Sequence, residues 1–332
     1  MGTIRVGVIG TGRMGERHCR VYGNLQGVDL VGVCDLDVNR AASVAQAHGV
    51  RRFETPGELL ACVDAVSIAT TTPTHFELAL EALHGGAHIL LEKPLTATVE
   101  EGTRLVDEAE RLGRVAQIGH IERFNPAYLE LKNVFDTDLK VIAIQVRRLS
   151  PFDSSNTDVD VVRDLMIHDL DLIVDLVGGE LEDVSAFGRA LNTDSVDHAV
   201  ANLSFHDGPV TTLCASRVTE QKVRRIEVTA VGAYVEADLL DKSVTIHRRM
   251  HPVYDAGKYR QESVIEKIHV PSDEPLMLEL RHFVDCIRDS KPSSVPIRDG
   301  LCALRLAQTI CDQLVAGEER PPSTPHSIFA RP

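Results

Sequence analysis

Three side chains are of types that can accept a proton or stabilise a charge: Lys93, Asp164 and His168. Lys93 stands in Glu-Lys-Pro at the end of an apolar segment, where Pro94 restricts the backbone of the residue before it. Its ammonium group could hydrogen-bond a hydroxyl and stabilise the negative charge that develops on that oxygen during oxidation. A solvated lysine at the end of a strand is the alternative interpretation.

Asp164 and His168 are four residues apart in a helix-like segment, so they are expected to share one helical face. An imidazole has an intrinsic pKa of about 6.5, which suits His168 to accept a proton from an alcohol. Asp164 could orient the imidazole, position a substrate or tune Lys93. The pair could instead be a surface contact that stabilises a helix by about 0.2–0.5 kcal/mol. No metal is predicted, since His168 and Asp169 project to different faces and no third ligand has suitable spacing.

Strands and helices must bring these side chains together. A glycine-rich turn near the start of the chain indicates a strand followed by a helix. Gly10-Thr11-Gly12-Arg13-Met14-Gly15 stands between an apolar strand and an amphipathic helix. Gly10 permits the tight turn, Gly12 lets backbone N–H groups approach a pyrophosphate, and Gly15 lets the helix pack close to the strand. Asp35 ends the next strand, about 20 residues further on, where it can accept hydrogen bonds from a ribose diol. The sequence therefore predicts a dinucleotide site, with the phosphates at the helix N-terminus.

Asp35 also indicates which dinucleotide binds. Its carboxylate would repel a 2′-phosphate, and Leu36 offers no group to receive one. Arg40 is near in sequence but lies one turn into the following helix. NAD is therefore favoured over NADP. Asp35 could alternatively cap that helix, although Asp37 fits this role better.

The composition predicts a globular protein with two domains. The chain has 332 residues, of which 43% are hydrophobic and 25% charged, and this length is comfortable for two cores. The net charge of −14 disfavours nonspecific binding to nucleic acid or to an anionic membrane. No apolar run has transmembrane length, and no signal peptide is expected because the first strand begins almost at once. Seven scattered cysteines without CxxC or zinc spacing are typical of reduced core thiols in a cytoplasmic protein.

The order of predicted elements divides the chain near residue 119. Residues 1–119 alternate short apolar strands with helices, which predicts a doubly wound parallel sheet of the Rossmann type. In such sheets ligands bind at the carboxyl ends of the strands, so Gly10–Gly15, Thr70–His75 and Glu92–Pro94 should converge.

Residues 120–332 hold several strands with few helices between them, which predicts an α/β domain with an open, mostly antiparallel sheet. Asp207-Gly208 is a hairpin turn signal between two of these strands. A long helix over residues 159–177 would carry Asp164 and His168. The cleft between the two domains is the expected ligand site.

Together these motifs resemble the glucose–fructose oxidoreductase, inositol dehydrogenase and rhizopine-catabolism (Gfo/Idh/MocA) family of NAD(P)-dependent sugar oxidoreductases. The resemblance spans the whole chain. It is carried by Gly10–Gly15, Thr72-Pro73 with His75, Glu92-Lys93-Pro94, the helix with Asp164, His168 and Asp171, and the segment Pro296–Leu301. It implies a Rossmann domain followed by an α/β domain whose open sheet commonly forms a dimer or dimer-of-dimers interface.

The resemblance also implies roles for individual residues. Lys93 and His168 correspond to the catalytic pair, with Asp164 assisting. The residues expected along the cofactor are Gly10, Thr11, Gly12, Arg13, Met14, Gly15, Asp35, Thr70, Thr71, Thr72, Pro73, His75, Glu92 and Lys93.

A segment after the last Rossmann strand narrows the resemblance. Residues 119–127, Gly-His-Ile-Glu-Arg-Phe-Asn-Pro-Ala, look like a segment of nucleotide-sugar members, notably UDP-N-acetylglucosamine 3-dehydrogenases. Arg123 and Asn125 would lie beside the cleft, and arginine matches phosphate geometry well. Asn125-Pro126 is alternatively an N-cap followed by proline at the first helical position. Arg163 could add positive potential for a diphosphate, as could Arg147-Arg148, or these could form a solvated face. The candidate substrate-binding residues are therefore Arg123, Asn125 and Arg163.

These observations predict an NAD-dependent oxidoreductase that acts on a secondary hydroxyl of a sugar, with a nucleotide sugar such as UDP-N-acetylglucosamine as the expected substrate. A free-sugar or polyol dehydrogenase of the myo-inositol type is the first alternative. A noncatalytic NAD-binding regulator is the second, and the presence of Lys93, Asp164 and His168 together disfavours it. The expected assembly is a cytoplasmic homodimer or homotetramer formed through the second sheet.

Overall fold

The structure, a computed structural model, describes residues 2–137, 139–153, 159–249, 253–255, 258–260 and 263–318. It contains a six-stranded parallel sheet and an eight-stranded, mostly antiparallel sheet, with helices packed against both. The predicted Rossmann sheet followed by an open antiparallel sheet is confirmed.

The first half of the chain alternates strands and helices. Its strands are β1 Ile4–Ile9, β2 Val28–Cys34, β3 Arg51–Arg52, β4 Ala65–Ile68, β5 His88–Glu92 and β6 Ala116–Gly119. Its helices are α1 Arg13–Tyr22, α2 Val38–His48, α3 Pro56–Leu60, α4 His75–His84 and α5 Val99–Leu112. The strand order is β3-β2-β1-β4-β5-β6 and all pairings are parallel. Because the order reverses between β1 and β4, a crevice opens at their carboxyl ends.

The second half begins with helix α6 Pro126–Phe135 and continues into the larger sheet. Its strands are β7 Val141–Leu149, β8 Leu181–Arg189, β9 His198–Phe205, β10 Val210–Ser216, β11 Val223–Ala230, β12 Ala233–Asp238, β13 Ser243–Arg249, β14 Val253–Asp255, β15 Lys258–Arg260 and β16 Ser263–Ile268. The remaining helices are α7 Ile167–Val177, α8 Pro275–Asp289 and α9 Ile297–Glu318. The sheet has the order β16-β13-β12-β11-β7-β10-β9-β8, in which only β7 and β10 pair in parallel, and β14 pairs with β15 separately.

Among the residues that the structure describes, one face of the larger sheet packs on helices and the other face is more exposed. In β9, alternate residues such as Ala199, Ala201 and Leu203 are buried while those between them are half-exposed. The buried set joins a core with residues of α6, α7 and α9. This period of two is the pattern of a strand with one covered face.

The helix that carries the candidate chemistry differs from its prediction. Residues Val162–Met166 form a π-helical turn, and the α-helix begins only at Ile167. The prediction of one regular helix over 159–177 is therefore wrong at its first turns. The Nζ atom of Lys93 donates a hydrogen bond to the carbonyl oxygen of Asp164 inside this turn. A group that enters the backbone ladder in this way widens a helix, and such turns are frequent at functional sites.

The end of the chain returns to the first sheet. On α8, Leu276, Leu280, Phe283 and Val284 form an apolar face that shares a core with residues of β1, β2 and α1. Gln117 of β6 makes a bridge with Pro296. The division at residue 119 remains a prediction, and α8 packs on the Rossmann side of it.

Two further predictions concern membrane-spanning helices and the state of the cysteines. In the described part of the chain no helix combines the length and apolarity needed to span a membrane. All seven cysteines are free, and Cys302 is exposed, which differs from the expectation of core thiols.

Candidate active site

The turn after β1 forms an open cradle for phosphates. Gly10 has a φ of +89°, and a Cβ on Gly15 would lie 1.8 Å from the Gly10 carbonyl oxygen, so both positions require glycine. A Cβ built on Gly12 meets nothing within 4 Å, so the space above this residue is open. No side chain caps the N-terminus of α1 among the described residues. Its first N–H groups can therefore meet a pyrophosphate, and these residues fit a dinucleotide.

Asp35, expected to bind the ribose, contacts the glycine turn through Thr11. It accepts hydrogen bonds from Thr11 N at 2.6 Å and from Arg40 Nη2 at 2.8 Å. Burial alone would raise the pKa of Asp35, but these hydrogen bonds hold it at about 2. The carboxylate is therefore ionised at neutral pH. Asp37 caps α2 by accepting from the N–H groups of Asn39 and Arg40, as its position predicted.

The ends of β1, β4 and β5 meet, as predicted for a parallel sheet. Residues Thr72–Thr74 form a short 3₁₀ helix after β4. A Cβ built on Gly10 would lie 2.8 Å from the backbone nitrogen of Thr70, so the β4 loop begins close to the glycine turn. His75 is buried, with Nδ1 2.9 Å from the Pro94 carbonyl oxygen and Nε2 3.2 Å from that of Thr70. His75 therefore ties the β4 loop to the β5 loop. His75 is 1% exposed, and its contact with the cofactor remains a prediction.

Glu92, the last residue of β5, is held in place by a buried histidine. Its Oε1 atom is hydrogen-bonded to Nε2 of the buried His18 at 3.1 Å. Burial would raise the pKa of Glu92, but the contact with His18 lowers it below the ordinary value. Glu279 of α8 lies near this pair and is fully buried, and burial together with the charge of Glu92 raises its pKa well above the ordinary value. The lowered pKa favours the ionised form of Glu92, which lines the cleft, and the raised pKa favours the neutral form of Glu279.

Lys93 joins the two halves of the molecule. Its Nζ atom donates a 2.9 Å hydrogen bond to the carbonyl oxygen of Asp164 and lies 3.7 Å from Oδ1 of the same residue. Burial lowers the pKa of Lys93, and the nearby carboxylates of Asp164 and Glu92 oppose that shift. Of the three roles considered for Asp164, this geometry favours tuning and holding Lys93.

His168 lies on the first turn of α7 and lines the same cleft as Lys93. Its Nδ1 atom is buried and has no hydrogen-bond partner among the described residues. Burial lowers the pKa of His168 well below the ordinary value, and the positive charges of Lys93 and Arg148 add to that effect. The imidazole is therefore neutral at physiological pH and able to accept a proton.

A cleft of about 830 Å³ brings these groups together. Both halves of the chain line it, with Lys93 and Glu92 from one side and Asp164 and His168 from the other. The full lining is Arg13, Met14, Arg17, Glu92, Lys93, Gly119, Ile121, Glu122, Ser150, Pro151, Phe152, Asp153, Asp164, Leu165, His168, Arg217, Lys222 and Arg224.

Arg123, expected to bind substrate, lies elsewhere. It is 6% exposed and donates to both carboxylate oxygens of Asp171 at 2.7 and 2.8 Å. It also forms ion pairs with Asp175 at 2.7 Å and Asp299 at 3.3 Å. Three carboxylates thus occupy its guanidinium group, because its neighbours on α7 and α9 are acidic. The structure corrects the prediction: Arg123 joins helices and does not line the cleft.

Asn125 and Arg163 are likewise absent from the lining. Asn125 accepts a hydrogen bond from Ala127 N and caps α6, which confirms its alternative interpretation as an N-cap. Arg163 donates to Asp160 Oδ2 and to Gln308 Oε1, each at 2.7 Å, and so faces α9. Neither side chain is kept as a substrate-binding candidate.

The structure shows a buried charge network that sequence reasoning missed. Arg148 is 2% exposed and donates to Asp169 at 2.7 Å and to Glu122 at 2.9 Å. Arg224 shares the same oxygen of Glu122 at 2.9 Å. The alternation of β7 carried a signal, since Arg148 follows the inward positions Ile144 and Val146. Glu122 and Arg224 also line the cleft, so this network holds part of the cleft wall in place.

A Rossmann sheet, an uncapped glycine turn and a lysine–histidine cleft define an oxidoreductase that uses a dinucleotide. Residues 4–120 match an oxidoreductase family with an NAD-binding Rossmann fold, and residues 142–234 match the GFO/IDH/MocA C-terminal domain. The chain belongs to the Gfo/Idh/MocA oxidoreductase family. Membership confirms NAD as the cofactor.

The relatives include a dehydrogenase named for a nucleotide sugar and one named for an inositol. The chain is 38% identical over 290 residues to UDP-N-acetylglucosamine 3-dehydrogenase of Acidithiobacillus ferrooxidans, which covers 87% of this chain and 90% of the relative. It is 29% identical over 306 residues to scyllo-inositol 2-dehydrogenase (NAD(+)) of Bacillus subtilis, with 87% of each covered.

Solved structures of proteins with these two kinds of names are also similar to this chain. The UDP-N-acetylglucosamine 3-dehydrogenase of A. ferrooxidans superposes with a TM-score of 0.89 at 35% identity, covering 96% of this chain and 100% of that one. A myo-inositol 2-dehydrogenase from Lactobacillus plantarum gives 0.79 at 24% identity, covering 95% and 98%, and so shows the shared fold.

Proposed function

We propose that this chain is an NAD-dependent dehydrogenase that oxidises a secondary hydroxyl of UDP-N-acetylglucosamine. The observation that carries the chemistry is the placement of Lys93 and His168 in one cleft, beside the glycine turn of the Rossmann half. The similarity to UDP-N-acetylglucosamine 3-dehydrogenase, at 38% identity over most of both chains, supports the choice of sugar.

In this proposal each side chain has a separate task. NAD, when bound, supplies the acceptor for the hydride that leaves the sugar carbon. His168 accepts the hydroxyl proton through Nε2, since Nδ1 is buried. Lys93 donates a hydrogen bond to the same oxygen and stabilises its developing negative charge. Asp164 holds Lys93 in position through its carbonyl and carboxylate oxygens.

The electrostatics of the cleft suit this division of tasks. Burial lowers the pKa of His168, and the positive charge of Lys93 adds to that effect, so the neutral form of the ring is favoured. A neutral base next to a fixed cation favours the alkoxide-like state of a hydroxyl placed between them.

The absorbance of NADH as it forms measures turnover and tests the proposal. Separate reactions contain UDP-N-acetylglucosamine, UDP, N-acetylglucosamine or myo-inositol. Turnover on UDP-N-acetylglucosamine that exceeds turnover on N-acetylglucosamine by about 100-fold or more supports it. Turnover on none of them, with NAD still bound, would favour a noncatalytic NAD-binding protein.

A polyol dehydrogenase is the second candidate. It is favoured by the similarity to scyllo-inositol 2-dehydrogenase of B. subtilis over 87% of both chains. Turnover on myo- or scyllo-inositol, without turnover on UDP-N-acetylglucosamine, selects this candidate.

We further infer that the protein forms a homodimer or homotetramer in the cytoplasm. The more exposed face of the larger sheet supports the assembly, because Phe187 of β8 is 69% exposed there and pairs with Val200 of β9. The scattered cysteines support the compartment. Light scattering of Phe187→Arg against the unmodified chain tests the interface: a lower mass supports it and an unchanged mass contradicts it.

A further inference from the structure

The cleft carries an excess of positive charge, although the net charge of the whole chain is −14. Six cationic residues line it against four acidic ones. The cationic residues are Arg13, Arg17, Lys93, Arg217, Lys222 and Arg224, and the acidic ones are Glu92, Glu122, Asp153 and Asp164. A positive cleft in an acidic protein indicates a site for an anion.

Half of these cations already have carboxylate partners. Lys93, Arg217 and Arg224 form ion pairs with Asp164, Asp197 and Glu122, respectively. The other three make no ion pair with any residue that the structure describes, and these are Arg13, Arg17 and Lys222. Their charge is therefore available to a ligand.

The three available cations stand on opposite sides of the cleft. Arg13 and Arg17 belong to α1, next to the glycine turn that receives the pyrophosphate of the dinucleotide. Lys222 precedes β11 and belongs to the second half. Repulsion by Arg224 and a small loss of hydration lower the pKa of Lys222, and Arg13 adds repulsion from across the cleft. An anion between these groups would remove that repulsion.

We propose that Lys222 binds the diphosphate of the nucleotide-sugar substrate. This inference rests on the proposed function, since a free polyol carries no anionic group. Arg13 and Arg17 stand on the cofactor side, so Lys222 is the available cation on the side of His168. Lys222 thereby distinguishes nucleotide sugars from free sugars, while Lys93 and His168 act on the hydroxyl of either.

Titration calorimetry with UDP tests the assignment. It is carried out on three NAD-loaded proteins: the unmodified chain, Lys222→Gln and Lys267→Gln. Lys267 is exposed on β16 and lies outside the cleft lining, so it matches the change in charge. We expect the Kd of UDP to rise about tenfold in Lys222→Gln, the effect of losing one charge-assisted hydrogen bond. The Kd of UDP should be unchanged in Lys267→Gln, and the Kd of NAD unchanged in both variants. The KM of UDP-N-acetylglucosamine should rise by a similar factor while kcat changes less than about twofold.

The outcomes separate two sources of diphosphate. A raised Kd of NAD with an unchanged Kd of UDP would place Lys222 on the cofactor and overturn the proposal. So would UDP binding as tight in Lys222→Gln as in the unmodified chain. If the unmodified chain binds neither UDP nor UDP-N-acetylglucosamine, the proposed function itself fails, which is seen without any variant. Lys222 is exposed, so its replacement is expected to leave the fold intact.

Discussion

The Nζ atom of Lys93 donates a 2.9 Å hydrogen bond to the carbonyl oxygen of Asp164, a residue 71 positions further along the chain. The first residue ends a strand of the Rossmann sheet, and the second lies in the π-helical turn before α7. One contact therefore sets the position of a candidate catalytic ammonium group and joins the two halves that line the cleft. His168 follows one turn later, which places its ring beside that cation.

Replacing Lys93 with Met should lower kcat by about 10²–10⁴-fold, because the developing charge loses its hydrogen-bond donor. NAD binding should persist, since the glycine turn and Asp35 remain. Stopped-flow turnover and a fluorescence titration with NADH measure the two effects. Lys140→Met, on the exposed residue before β7, is the control and should match the unmodified chain. Near-normal turnover in Lys93→Met would refute the catalytic role.

The pH profile of kcat/KM should keep its plateau below pH 6.5. His168 accepts a proton only when neutral, and burial lowers its pKa, so activity is lost only as pH falls through that lowered value. Rates on UDP-N-acetylglucosamine from about pH 5 to about pH 8 give the profile. His168→Gln should abolish this acid limb along with most activity. An acid limb above pH 6.5 in the unmodified chain would be incompatible with His168 as the base.

The same shift predicts how stability depends on pH. The folded pKa of His168 lies below its unfolded value, so the unfolded state binds more protons as pH falls below about 6.5. Stability should therefore decrease as the solution is acidified through that range. Urea unfolding of His168→Gln against the unmodified chain checks this. A smaller loss in the variant agrees with the prediction, and an equal loss contradicts it.

Asp35→Ser should improve the KM of NADP by about tenfold. The substitution removes the carboxylate that repels a 2′-phosphate and releases Arg40, which Asp35 holds at 2.8 Å, to bind it. The double variant Asp35→Ser with Arg40→Gln is the control and should lose that gain. Steady-state kinetics with each dinucleotide measure the ratio. An unchanged NAD/NADP ratio would remove Asp35 from the ribose site.

Arg123→Met should lower the free energy of unfolding by about 3–5 kcal/mol, because it leaves buried Asp171 without its partner. Arg163→Met is the control, since its partly exposed pair with Asp160 is worth about 0–1 kcal/mol. Denaturant titration compares the two. A raised KM for the sugar substrate with unchanged stability would restore the substrate-binding role for Arg123.

The elements of the first sheet could be predicted from local sequence. The limits of β1 and α1 follow from an apolar run, the glycine turn and a helical period, all of which are neighbours in sequence. The same holds for Asn125, whose capping role depends on the next two residues. Strand β13 was not predicted, although Val244 and Ile246 show the alternation of a half-buried strand.

The fate of charged side chains depended on distant partners. Arg123 looked available for phosphate because Asp171 is 48 residues away and Asp299 is 176 residues away. Lys222 carried no local signal, since its cleft position follows from the packing of β11 against β7. Lys93 and His168 were identified from motifs, but their common cleft follows from the assembled fold.

A crystal structure with NAD and UDP-N-acetylglucosamine bound tests the central claim most directly. The account predicts one sugar hydroxyl within about 3.2 Å of both Lys93 Nζ and His168 Nε2, with its carbon facing the nicotinamide ring. A sugar hydroxyl that reaches only one of these nitrogens, with the other facing a separate compartment, would contradict it.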